Sequence, residues 1–99
     1  MRRGTTPVNH ISTDMDLTGA TALYVTYQQN DETVLEKTLQ DATITEKEVA
    51  IQLSQEDTLL FEEGSKVYVQ LRAVLPDGNC VASNIMSVKV EKILKDGVI

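Results

Sequence analysis

The chain holds one histidine, His10, and one cysteine, Cys80, so the side chains that most often do chemistry are nearly absent. A zinc site gathers several Cys and His ligands at one point, and one of each at unrelated positions does not supply it. A nucleophile needs a base that is itself oriented by an acid, and His10 has no evident orienter. Acidic residues lie close together at Asp14 and Asp16, at Glu56 and Asp57, and at Glu62 and Glu63. Calcium requires several oxygens converging from a fixed loop, and no segment here matches the twelve-residue pattern. These carboxylates read as helix-end charge and solvated turns. The five glycines, at 4, 19, 64, 78 and 97, each stand alone, so there is no glycine-rich loop to cradle a phosphate. The chain is therefore expected to be a non-enzyme with no cofactor and no metal. Only His10 beside Cys80, or a carboxylate pair, would reopen a catalytic reading.

Charge and composition narrow the partners. The net charge of −6 argues against nucleic acid, because phosphates need a basic face and Arg2-Arg3 is the only local basic cluster. Ninety-nine residues fit one domain, 1–99, with enough chain for one core without staples. That core must be aliphatic, since the sequence has three Tyr, one Phe and no Trp. A single cysteine permits no internal disulfide, which fits folding in a reducing cytoplasm. Cys80 is expected as a small buried hydrophobe or as an exposed thiol. The two arginines are not followed by an apolar core, so no secretory leader is expected. No stretch approaches the about 20 apolar residues of a membrane span.

The elements follow from alternation, because strand side chains repeat every two residues. Leu23, Val25 and Tyr27 face one way, and Tyr24, Thr26 and Gln28 the other. The grammar recurs at 49–53, most clearly at 67–73 with Val67, Val69, Leu71 and Ala73 inward, and again at 86–91. Asn9, Ile11 and Met15 are expected to form the inward face of a first strand. Gln29-Asn30-Asp31-Glu32 signals a turn, and 33–39 reads as the return of a hairpin whose Glu36 and Lys37 indicate a partly solvated or edge position. A very short strand is expected at 42–45. Ser54 can cap one helical turn near 55–61, with Glu56 and Asp57 at its positive end and Leu59, Leu60 and Phe61 pinning it to a sheet. Pro76-Asp77-Gly78-Asn79 is a strong turn, and Ser83-Asn84 is read as a bulge in the last strand. About seven short strands with regular turns predict an all-β, Ig-like antiparallel sandwich, without the Cys-Trp-Cys signature of antibody domains.

What remains is surface. Tyr24, Thr26 and Gln28 on one strand and Tyr68, Gln70 and Arg72 on another point away from the core. If the two strands are neighbours, they form a patch suited to protein contact, since Tyr and Arg favour interfaces. Met1 to Thr6 is polar and is expected to fray or to dock on something else. Residues 92–99 are apolar for such a tail. Ile93, Leu94, Val98 and Ile99 are expected to pack on the domain or on a neighbouring subunit.

Two stretches carry a resemblance. Arg3-Gly4-Thr5-Thr6, followed by Asp16-Leu17-Thr18-Gly19-Ala20, resembles the opening of Ig-like N-terminal domains in tail and baseplate proteins of phages that infect Gram-positive bacteria. Thr5 stands where that pattern usually has Asp. Over its full length the chain also resembles small prophage proteins of gut Firmicutes, through Arg2 to Pro7, Val25-Thr26-Tyr27 and Leu53 to Leu59. The resemblance implies a phage or prophage structural or accessory protein acting by assembly, at the tail or baseplate. It would be made in the bacterial host cytoplasm and carried in the virion if structural. Its partners would be copies of itself or a larger virion protein, with neither nucleic acid nor membrane. It hands over no site residues. Two other classes stay open: an accessory protein that binds and modulates a host protein, and a carbohydrate-binding or adhesion module.

Overall fold

A computed structural model describes residues 1–99. Strand β2 (Ala22–Gln29) buries Leu23, Val25, Tyr27 and Gln29, and β6 (Lys66–Val74) buries Val67, Val69, Leu71 and Ala73. The two run antiparallel with Leu23 opposite Ala73, Val25 opposite Leu71 and Tyr27 opposite Val69. Their inner faces therefore merge into one apolar surface. Beyond β2 lies β3 (Glu32–Thr38), joined by a two-residue turn. Asn30 and Asp31 take φ of 53° and 63° there, the left-handed pair that matches the twist of a tight hairpin.

The other edge of β6 is covered by β7 (Cys80–Ala82) and β8 (Met86–Lys89). Arg72 faces Ala82 and Val69 faces Met86, so Ser83, Asn84 and Ile85 stand opposite only Gln70 and Leu71. The extra residue is the expected bulge, and β7 and β8 are one bent strand. Ser83 holds the bend: its N–H donates to Leu71 O (2.8 Å) and its hydroxyl accepts from Leu71 N (3.0 Å).

The second sheet has three strands in the order β1 (Val8–Ser12), β5 (Glu48–Gln52), β4 (Ala42–Ile44), all antiparallel. Ile11, Val49 and Ile51 point from it into the shared core. Asn9 also points inward, and its amide donates to the Tyr27 hydroxyl at 2.8 Å. Met15 does not join this face. The strand ends at Ser12, and Met15 is exposed in the following bend. The sheet orders are those of an Ig-like sandwich, with β1-β5-β4 standing as B-E-D and β3-β2-β6-β7/β8 as C′-C-F-G. Tyr27 is fully buried on β2, and its ring centroid lies 6.0 Å from that of Phe61.

The opening turn is explained by local chemistry. Asp16 Oδ1 accepts from Thr18 N (2.9 Å) and Thr18 Oγ1 (2.6 Å). The Thr18 hydroxyl and then its amide hold the Asp16 carboxyl below the usual carboxylate value. Leu17 and Ala20 are buried on either side, and Gly19 takes φ +81°.

A helical turn, α1 (Gln55–Leu59), crosses from β5 in one sheet to β6 in the other. Ser54 Oγ accepts from Asp57 N (3.1 Å), and Asp57 Oδ2 accepts from Ser54 N (2.9 Å), a reciprocal cap. Phe61 is buried, Leu59 half-buried and Leu60 exposed. Successive helical side chains point about 100° apart, so three in a row cannot all meet one sheet. Lys37, inward on edge strand β3 opposite Val25, donates to Asp57 Oδ2 at 2.8 Å. Burial pushes the Asp57 carboxyl upward. The Lys37 and Ser54 hydrogen bonds and the Lys37 charge outweigh it and hold the group below its ordinary 3.8.

A lowered folded-state value stabilises the protein above the unfolded value, and this is lost as pH falls through the folded one. The urea midpoint should therefore drop on acidification below 3.8. In Asp57→Asn that drop should be shallower. Parallel pH profiles for the two proteins would contradict the assignment.

Candidate protein interface

The outer face of the five-stranded sheet is set by the same alternation that builds the core. Tyr24 stands opposite Arg72, Thr26 opposite Gln70, and Gln28 opposite Tyr68. The two strands are thus neighbours, and the six side chains share one surface. Tyr24 and Tyr68 are 47% and 48% exposed, about half of each ring remaining in water. Their neighbours are tied down: Thr26 Oγ1 donates to Glu36 Oε2 (3.3 Å), Gln28 Nε2 to Thr33 Oγ1 (3.4 Å) and Gln70 Nε2 to Ser83 O (3.0 Å). The polar groups around the tyrosines are therefore held in place by side-chain hydrogen bonds.

Ile85 was not among the residues expected here, yet it is 65% exposed and lines a hollow of about 90 Å³ with Thr26, Gln28, Tyr68 and Gln70. Met86 points inward opposite Val69, so alternation turns Ile85 outward, and the bulge lifts it onto this face. The face is also basic in an acidic chain. Lys66 and Lys89 are directly opposite one another, Arg72 lies along β6, and Glu36 is the acidic counterpart on β3. Like charges directly opposed across strands repel.

The tail is held by its backbone rather than by its apolar side chains. Ile99 N donates to Gln55 Oε1 (2.9 Å), and Gln55 Nε2 donates back to Ile99 O (3.1 Å). Ile93 is half-buried, whereas Leu94, Val98 and Ile99 are 93%, 53% and 86% exposed. Of the four expected to pack, only Ile93 does so within the chain.

The Arg-Gly-Thr segment has a structural role that sequence reasoning missed. Arg3 Nε donates to Phe61 O (2.7 Å), its Nη2 to Leu59 O (3.2 Å), and its Nη1 lies 3.7 Å from Asp96. It thus satisfies carbonyls at the end of α1 that the helix leaves open. Gly4 takes φ +70°, and a Cβ there would lie 2.8 Å from Ile93 Cδ1. Thr58, fully buried, accepts from Thr5 N (3.1 Å) and donates to Thr5 O (2.9 Å). The Met1 amine donates to Lys89 O (2.8 Å).

His10 and Cys80 do not meet. His10 points outward from β1 and lies 3.1 Å from Glu48, while Cys80, opposite Val74 on β6, points outward from the other sheet. They stand on opposite outer faces of the sandwich. No group of three or more His, Cys, Asp or Glu side chains converges as metal ligands do. No helix is long and apolar enough to cross a membrane.

No protein-family model, curated protein or solved structure matches this chain.

Two substitutions separate latch from surface. Arg3→Ala should lower the unfolding free energy by about 1–3 kcal/mol, because it leaves carbonyls without a charged donor. Tyr68→Ser should change it by less than about 1 kcal/mol, as exposed sites do. Urea titrations of both variants check this, and equal effects would contradict the division.

Proposed function

We propose that this chain is a non-enzymatic structural or accessory protein of a phage or prophage. It works by protein–protein assembly with copies of itself or with a larger virion protein. The observation that carries the reading is the outer face of the five-stranded sheet. It presents two half-exposed tyrosines, an arginine and an exposed isoleucine on a surface fixed by side-chain hydrogen bonds. Rigid aromatic anchors next to Arg are what interface centres favour, because they bury much area with little side-chain ordering. The cations Lys66, Arg72 and Lys89 suit an acidic partner surface. Other copies of this chain, at net −6, offer acidic surface of that kind. The resemblance of the opening segments to phage tail and baseplate domains supports the same reading.

Light scattering after size exclusion, over a concentration series, tests it. The expected result is a discrete closed oligomer whose formation weakens with added salt and is lost in Arg72→Glu. A monomer at every concentration would overturn self-assembly. It would turn attention to a heterologous protein partner.

A further inference from the structure

Every sheet edge in this sandwich is guarded except one. β3 carries Glu32, Glu36 and Lys37, with Lys37 turned inward. β4 is only three residues long. The bent β7/β8 strand has its bulge and Lys89, and the N-terminal segment lies along its end. There the Met1 amine donates to Lys89 O, Glu91 N to Met1 O and Arg3 N to Glu91 O. Charge, shortness, bulges and covering segments are the devices that stop a sheet from adding strands. β1, Val8-Asn9-His10-Ile11-Ser12, has none of them. It holds no Lys, Arg, Asp or Glu and follows β5 without a register shift.

The open side of β1 can be read from its ladder. Leu53 N donates to Pro7 O and Thr13 N to Lys47 O, and residues bonded to the partner alternate along an antiparallel pair. Asn9 and Ile11 therefore turn their N–H and C=O toward β5. Val8, His10 and Ser12 turn theirs to the free edge, and no hydrogen bond within the chain reaches them there. An Ig-like sandwich places strand A in this position, beside strand B. Here the segment before β1 goes to the other sheet, where Arg2 bridges in parallel to Glu91.

We propose that β1 pairs antiparallel with β1 of a second copy, across a two-fold axis at His10. A strand added to this edge must bring an unguarded edge of its own, and the one such strand in the chain is β1 itself. With His10 at the axis, Val8 faces Ser12 of the partner subunit, and every outward N–H and C=O on both strands gains a partner. The seam carries no Lys, Arg, Asp or Glu side chain from either strand. The same patch meets itself, so the contact closes at a dimer. It rests on the assembly reading only in taking another copy as partner, and it uses the sheet opposite the tyrosine face.

Amide hydrogen exchange by NMR and light scattering, over one concentration series, test it. The Val8, His10 and Ser12 amides should exchange at least about tenfold more slowly in concentrated than in dilute protein. Asn9 and Ile11, already bonded to β5, should not change. Two full-length variants accompany the parent. His10→Pro removes an outward donor that β5 does not use, a change edge strands tolerate. His10→Lys keeps a cation near Glu48, 3.1 Å from the native ring, but opposes two lysines at the axis. Both should keep the parent's far-UV circular dichroism and dimerise at least about tenfold more weakly. Fast exchange at all three amides at every concentration would overturn the proposal, as would parent-like assembly of both variants. Either result alongside loss of assembly in Arg72→Glu would leave the outer-face reading standing alone. Slowed amides that persist in Arg72→Glu would uphold the β1 pairing without the outer-face contact.

Discussion

The fold depends on the polar hub around α1. A corner that crosses between sheets must satisfy its backbone groups without a sheet neighbour, and buried unsatisfied groups are expensive. Here Ser54 and Asp57 cap its start locally, and its far end and side chains are met by parts of the chain distant in sequence. Thr58 bonds to Thr5, Arg3 donates to Leu59 and Phe61 carbonyls, and Lys37 pairs with Asp57. Gln29, buried at the end of β2, donates to Glu62 O (2.8 Å) and accepts from Glu62 N (2.7 Å). With Gln55 also holding Ile99, the N-terminal stretch, the β2–β3 hairpin and the tail are fixed to one corner. No buried side-chain nitrogen or oxygen is left without a partner.

That hub also frames the outer face. β2 and β6 are the central pair of the larger sheet, clamped by Gln29 at one end and by the Leu17–Ala20 turn at the other. Lys37 gives the edge strand an inward charge, which discourages indiscriminate strand pairing. On its outer face the central pair sets Tyr24 opposite Arg72, Thr26 opposite Gln70 and Gln28 opposite Tyr68.

Much of the sandwich was legible because burial and strand alternation share a period of two. Tyr24, Thr26, Tyr68, Gln70 and Arg72 were placed on one face by that rule, given that their strands are neighbours. The neighbour relation itself is a long-range fact that alternation cannot supply. Asn30-Asp31, Ser54 with Asp57, and the Ser83-Asn84 bulge were readable from turn and cap chemistry. The latch was not. Arg3 bonds to Phe61, 58 positions away, and Thr5 to Thr58, 53 positions away, and no local pattern announces such bonds. Leu60 and Met15 misled for a related reason, since hydrophobic character does not say which side of a bend a residue faces. Alternation turns Ile85 outward, but its place beside Tyr68 and Gln70 follows from the register shift at the bulge, which no local pattern gives.

Cys80 gives a direct test of the claim that other copies cover the outer face. It is the sole thiol, is exposed, and points outward from β7 beside Arg72 and Ala82's strand pair. The measurement is its alkylation rate by iodoacetamide from dilute to concentrated protein, with Arg72→Glu alongside. The account predicts a rate that falls as concentration rises in the parent and stays constant in the variant. A constant rate in both would mean the face stays open to solvent and would contradict the account.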